Sequence, residues 1–350
     1  MAAKTPFESA LLFAQSALSA TPVIILGSGA SAAHDVPGMV PLAKHIASLN
    51  LPMDWTSEEV DEWKVFLANL GKGQDLETAL GAVRPTRRQN EFVADATRTF
   101  LFPSDRKALV SLLSDRRHLP LSRLYKHLFT STHKTLHVVT PNYDRLAEYA
   151  ADAAELEVFT GFQQGHLQLR IKDVDARLKG NSQKARTVCV WKVHGSLDWF
   201  HDADDRIVAL PQMEMTPAGF APLMITPGVE KYRLAHSEPF RTIFTFSDAA
   251  LEGARSYLCV GYGFNDEHLQ TKLVERCDTD SVPLLVVTYG LTPTAKAFLK
   301  GGKCRRYLAI EAAPAGSRFY THDHPDGFDV PDREAWKLAE FLDMTIGEQA

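Results

Sequence analysis

Six short apolar runs limit what this chain can fold into more than any other feature. They are Val23–Leu26, Leu136–Val139, Val188–Val193, Leu223–Thr226, Tyr257–Val260 and Pro283–Thr288. Largely apolar at consecutive rather than alternate positions, they read as strands buried on both faces, the condition of the centre of a parallel sheet. Parallel neighbours need crossovers, and stretches with helical spacing, such as Tyr143–Ala154 and Pro239–Ala254, lie between the runs. The alternation predicts an α/β chain with a Rossmann-like, doubly wound, mainly parallel sheet.

Residues 40–134 differ in character, with helical periodicity, many charges and few β-branched runs. They are expected to form a helical insertion, a lid over the carboxyl end of the sheet where α/β proteins bind ligands. The expected organisation is a sheet domain from residues 1–39 and 135–310, the insertion at 40–134, and a C-terminal extension at 311–350. Gln168–Arg186, of mixed charge, reads as a solvated loop or helix. In the extension, Glu334–Leu342 has the spacing of an amphipathic helix, with Trp336, Leu338, Phe341 and Leu342 on its apolar side.

Composition narrows the function classes. The formal net charge is -5, and Lys and Arg form no run of five, so a direct nucleic-acid footprint is not expected. No apolar stretch approaches the roughly 20 residues of a membrane-spanning helix. Met1–Ser16 lacks the layout of a secretory signal, and a cytoplasmic location is expected. The four cysteines, Cys189, Cys259, Cys277 and Cys304, form no Cys-x-x-Cys pair, so neither a disulfide framework nor a four-cysteine zinc site is expected. His322-Asp323-His324, with Asp326 and Asp329, offers metal-ligand chemistry without a ligand spacing and reads as a solvated loop; no metal is expected.

Four of the apolar runs lead into polar turns. Val23-Ile24-Ile25-Leu26 runs into Gly27-Ser28-Gly29-Ala30-Ser31 and a helix, where Gly27 permits a tight turn and Gly29 lets backbone approach a diphosphate. Gly27 to Ser31 is thus a candidate diphosphate cradle at a helix N-terminus. No strand ends in an acidic residue about 20 positions later, which argues against a hydride-transferring dehydrogenase. The second turn, Thr140-Pro141-Asn142-Tyr143-Asp144, sets an amide and a carboxylate two residues apart beyond a strand end; both types also serve as helix N-caps. The third, His194-Gly195-Ser196, puts an imidazole beside a glycine that admits close ligand approach. The fourth, Gly261-Tyr262-Gly263-Phe264-Asn265-Asp266, follows the strand at Tyr257.

In this order, the four turns resemble the sirtuin-like superfamily, with its Gly-Ala-Ser, Asn-x-Asp, His-Gly and late glycine loops. The resemblance covers roughly Pro22 to Leu291, and Leu223-Met224-Ile225-Thr226-Pro227 adds to it. The likeness is to the sirtuin-like NAD hydrolases of bacterial anti-phage defence. Sirtuin deacylases carry a four-cysteine zinc ribbon and an Asp-Phe-Arg run after the first loop; this chain has no such ribbon and reads His34-Asp35-Val36-Pro37-Gly38 there. Gly263 stands where the late loop usually has serine.

The resemblance implies an NAD+ glycohydrolase that cleaves the nicotinamide-ribose bond of its substrate NAD. His194 is the candidate base; Asn142 would hold the ribose and the attacking water, and Asp144 would engage the nicotinamide amide. Thr140, Gly195, Ser196, Thr226, Gly261, Gly263 and Asp266 complete the expected NAD contacts. The same resemblance implies a defence effector that depletes NAD on infection, as a homo-oligomer with a partner such as a HerA-type ATPase or an Argonaute-like protein. A protein deacylase or ADP-ribosyltransferase and a non-catalytic NAD or ADP-ribose sensor are the alternatives. The missing zinc cysteines count against the deacylase, and the Asn142 and His194 pair counts against the sensor.

Overall fold

The structure is a computed structural model that describes residues 4–211, 213–228 and 237–348. Its nine-stranded sheet has the order β13-β12-β11-β10-β9-β1-β2-β5-β3. The core strands are β1 (Val23–Leu26), β2 (Thr135–Thr140), β5 (Thr187–Lys192), β9 (Tyr257–Val260) and β10 (Leu284–Val287). Each arises from one of the apolar runs. Every residue of β1, β5, β9 and β10 is buried, which is why those runs are apolar without alternation. All neighbours from β3 (Glu157–Phe159) to β11 (Tyr307–Ala313) pair parallel. At the far edge β11, β12 (Gly316–Thr321) and β13 (Phe328–Pro331) pair antiparallel. The segment beyond residue 311 therefore contributes two strands to the main sheet.

Helices cover both faces. One core cluster joins α1 (Pro6–Ser19), α7 (Pro120–Leu128), α8 (Leu146–Ala153) and α13 (Leu338–Ile346) to Ile24, Val138, Leu258 and Leu285. The opposite cluster joins α10 (Phe240–Glu252), α11 (Glu267–Thr279) and α12 (Pro293–Lys300) to Ile25, Val139, Cys259 and Val286. The alternation of side chains along each strand produces these two clusters, and the fold is a doubly wound α/β sheet. The C-terminal helix starts at Leu338, later than the spacing predicts, because Glu334–Lys337 form a turn closed by the Lys337 amide on the Glu334 carbonyl.

One apolar run lies elsewhere. Leu223–Thr226 overlaps β8 (Ala221–Met224), which belongs to a second, four-stranded sheet of order β4-β7-β6-β8 and not to the parallel sheet. Its partner is β6 (Gly195–His201), antiparallel, with β7 (Ile207–Ala209) and β4 (Gln168–Leu169) beyond. Antiparallel pairing to the strand that follows His194 takes β8 out of the central sheet; its first half is only partly buried. α9 (Val174–Lys184) occupies the mixed-charge stretch.

Between β1 and β2 lie α2 (Ser28–Ala32), α3 (Met39–Ala47), α4 (Ser57–Gly71), α5 (Leu76–Gly81), α6 (Arg87–Ser114) and α7. α4 and α6 each begin with a capping box, Thr56 with Glu59 and Thr86 with Gln89, which satisfies amides no helical carbonyl reaches. The helices enclose their own core around Leu42, Trp63, Phe66 and Leu76. α6 belongs to both cores: Val93 and Ala96 pack in the lobe, Leu101, Ala108 and Leu112 on the sheet side.

Candidate active site

Strand register brings the four polar turns to one place. Thr140 at the end of β2 pairs with Lys192 at the end of β5, so Asn142 and His194 each stand two residues past that pair. Leu26 at the end of β1 pairs with Val260 at the end of β9, so Gly27 and Gly261 each stand one residue past. All four turns leave the carboxyl edge of adjacent strands, the ligand-binding edge of an α/β sheet.

The glycines answer first to each other. A Cβ on Gly27 would stand 2.3 Å from the Gly261 carbonyl oxygen, and one on Gly29 would stand 2.8 Å from Gly261 Cα. Gly261, with φ +57, would itself drive a Cβ to 2.2 Å from the Ala30 nitrogen. The Gly27 and Gly29 amides donate to the carbonyls of Val260 and Gly261 at 3.0 Å, and the Ala30 amide donates to Gly27 at 3.0 Å. The missing side chain of Gly29 makes room for the neighbouring loop. Ser28 stands exposed at the head of the turn.

The Asn142 loop is tied to this turn by side chains. Asn142 Nδ2 donates to the Gly27 carbonyl and to Ser31 Oγ, each at 2.9 Å. Ser31 Oγ in turn donates to Asp144 Oδ2 at 2.6 Å, while the Leu146 amide donates to Asp144 Oδ1 at 3.2 Å. Thr140 Oγ1 donates to the Leu26 carbonyl at 2.9 Å and accepts from the Asn142 amide at 3.1 Å. Ala30, Ser31, Asn142 and Asp144 line a small recess closed on its other side by Leu26, Leu119, Leu121 and Leu146, with His34 at its wall. Asp144 is buried there, and burial pushes its carboxyl above the usual range despite Lys192 and Ser31.

His194 occupies the turn between β5 and β6. Gly195, at φ +86, allows that turn, since a Cβ there would meet the Leu223 carbonyl oxygen at 2.6 Å. The imidazole is buried, and its Nε2 lies 3.0 Å from Asp266 Oδ2 without the alignment of a hydrogen bond. Asp266 therefore flanks the imidazole, a pairing of residues 194 and 266 that no local motif announces. The Ile225 amide donates to the His194 carbonyl at 2.9 Å, and Tyr143 Oη donates to the Ile225 carbonyl at 2.7 Å. Thr226 is buried one residue on, with Oγ1 3.5 Å from Asn90 Oδ1 of α6. Ser196 is buried with Oγ 3.4 Å from the Tyr143 carbonyl, and Gly263 accepts from Thr292 Oγ1 at 2.5 Å.

Buried charges beneath the turns escape a sequence reading. Lys192, fully buried, donates through Nζ to the Asp144 carbonyl and stands 3.3 Å from Glu148 Oε1. Burial raises the Glu148 carboxyl to about 7 against the pull of Lys192. The available signal was a lysine inside an otherwise apolar strand, which needs a buried partner. The His322–Asp326 stretch lies in the exposed loop between β12 and β13, where His322 faces Asp323 at 3.3 Å. Among the described residues, no group of three His, Cys, Asp or Glu side chains is placed to hold a metal ion.

Residues 136–289 match the family model of the SIR2-like domain, a span that contains the Asn142, His194 and Gly261 turns and supports a sirtuin-like family. No curated protein matches the chain. Among solved structures, one described as giving the structural basis for the mechanism and regulation of Sir2 enzymes is similar at 11% identity. The alignment covers 86% of this chain and 92% of that one, with a TM-score of 0.40. Sir2Tm bound to a propionylated peptide is similar at 12% identity, covering 83% of this chain and 89% of the other, with a TM-score of 0.38.

Proposed function

We propose that the chain is an NAD+ glycohydrolase acting on the bond between nicotinamide and ribose. The observation that carries this reading is the placement of Asn142 and His194 two residues past the Thr140–Lys192 pair, with Asn142 lining the recess together with Ser31 and Asp144. As it stands the recess holds little more than a water molecule, so it must open to admit the nicotinamide ring. Departure of nicotinamide leaves oxocarbenium character on the ribose, which an enzyme stabilises by orientation and by a base for the attacking group. The C–N bond breaks with its electron pair going to the ring nitrogen. Water then bonds to the anomeric carbon and gives its proton to His194. Asn142 orients the ribose and that water; its amide already bridges the turns of β1 and β2.

Asp266, 3.0 Å from the imidazole, would orient it once the two align, in the manner of a base oriented by a third group. Asp144 receives the nicotinamide amide only by sharing its carboxylate with Ser31, so it both shapes and lines the recess. Because the Gly27 and Gly29 amides are engaged with the β9 turn, Ser28, exposed beside Gly29, is the side chain assigned to meet the diphosphate. Depletion of NAD as an anti-phage defence effector, by a homo-oligomer with a HerA-type ATPase or an Argonaute-like partner, rests on the resemblance alone. The test is chromatographic detection of nicotinamide from NAD with no acylated peptide present, by the chain alone and with candidate partners. Release that requires an acylated peptide points to a deacylase, and NAD binding without any release points to a sensor.

A further inference from the structure

One helix reaches both reacting loops through buried charges. On α6, Arg98 and Asp105 lie seven residues apart, which is two turns, and therefore on one face. Arg98 Nε donates to the Leu197 carbonyl at 2.9 Å, three residues after His194. Asp105 Oδ1 accepts the Arg145 amide at 2.7 Å, three residues after Asn142, and its Oδ2 accepts from the Arg145 guanidinium and from Tyr149 Oη at 2.7 Å. The Phe102 ring lies between the two guanidinium groups, at 5.2 Å from Arg98 Cζ and 5.4 Å from Arg145 Cζ. Arg98 and Asp105 are 1% and 0% exposed, so neither contact is an optional surface pair.

Taking the Asn142 and His194 reading as its ground, we propose that Arg98 and Asp105 are positioning residues that set the two loops at a fixed spacing. A fork from one helix fixes the backbone three residues downstream of each reacting group, and the Leu197 amide closes the frame by donating to the Tyr143 carbonyl at 3.0 Å. The helix that carries the fork is rooted at its other end in the core of the helical lobe, through Val93 and Ala96. Movement of that lobe against the sheet would therefore change the spacing of both loops together. A buried ion pair needs no such role to exist, and breaking one is itself destabilising. What marks these buried charges is that each also binds a main-chain group of one loop: Arg98 donates to the Leu197 carbonyl and Asp105 accepts from the Arg145 amide.

The test compares Asp105→Asn and Arg98→Lys with Leu258→Ala, a change in the interior of β9 that touches neither hydrogen-bonded contact. Both α6 variants keep the side-chain size, and Arg98→Lys keeps the charge while losing the planar fork. At a temperature where all three are folded, kcat for nicotinamide release should fall about 10-fold to 100-fold in the α6 variants with KM changed little, as expected of ångström-scale misplacement. Leu258→Ala should lower the melting temperature as much and leave kcat in place. In both α6 variants, amides of residues 143–146 and 195–198 should exchange hydrogen faster together. Unchanged kcat in a folded α6 variant, or a kcat loss equalled by Leu258→Ala, overturns the proposal. If the unaltered chain releases no nicotinamide, the NAD reading fails, and hydrogen exchange decides the coupling alone: protection lost in both loops supports it, protection lost in one or neither refutes it.

Discussion

Behind the site, Leu258, Cys259, Leu285 and Val286 are buried within β9 and β10 and their side chains offer only carbon and sulfur to their neighbours; at the carboxyl edge Thr140, Asp144, Lys192, His194 and Ser196 are also buried, and polar. The strand interior is held by packing, where a deletion costs contacts and leaves a cavity. The edge is held by specific partners, where a deletion strands a donor, an acceptor or a charge. The two regions should therefore fail differently: the interior by melting, the edge by losing function before it melts.

The largest effects belong to the reacting groups. His194→Ala and Asn142→Ala should each lower nicotinamide release by about 100-fold to 10,000-fold, the usual cost of losing a general base or an orienting group. Melting temperature should move far less, as followed by circular dichroism. A melting loss that matches the activity loss would place these residues with the interior.

The glycine turns come next and combine both behaviours. Gly261→Ala forces a Cβ to 2.2 Å from the Ala30 nitrogen in a left-handed conformation, so it should cost about 1–3 kcal/mol and weaken NAD binding along with stability. Denaturant unfolding and calorimetry check the two arms. Binding lost with no change in stability would mean that Gly261 meets ligand rather than the β1 turn.

For the interior, Leu258→Ala should cost about 2–5 kcal/mol while kcat of the folded fraction is retained. Activity measured well below the transition is the readout, and lost kcat there would blur the distinction.

A pH effect follows from His137 in β2, whose Nδ1 accepts from Trp191 Nε1 at 3.1 Å. Burial lowers this histidine to about 4, from an ordinary value of 6.5. Between those values the unfolded chain binds the proton and the folded chain does not. Stability should therefore be present above pH 6.5 and decline as pH falls towards 4. In His137→Gln that decline should be shallower over the same window, and an unchanged slope would assign the acid sensitivity elsewhere.

The sequence carries the fold where the physics is local. Runs of four to six apolar residues announce strands buried on both faces, and the five that did so correctly are β1, β2, β5, β9 and β10. Leu223–Thr226 looks the same and lies in the other sheet, because an apolar run does not say which strand pairs with it. β11 is not among the expected strands; its Tyr307-Leu308-Ala309-Ile310-Glu311 mixes in Ala and Glu, which weaken the β signature. The turns of the site were legible as glycine, amide and imidazole beyond strand ends. Their wiring was not. The pairing of His194 with Asp266 and the grip of Asp105 on Arg145 join residues 72 and 40 positions apart, and no local signal separates Arg98 and Asp105 from the many other charges of residues 40–134. Gly29 shows the same limit: a glycine tells that something approaches the backbone, and which group does so, here the Gly261 turn, is visible only in the fold.

The central claim concerns chemistry at the edge, and single-turnover release of nicotinamide from NAD tests it most directly. The unaltered chain, alone or with an activating partner, should release nicotinamide, while Asn142→Ala and His194→Ala should bind NAD in calorimetry and release almost none. Release by either variant at the unaltered rate, with NAD bound normally, would contradict the assignment of these two residues as the reacting groups.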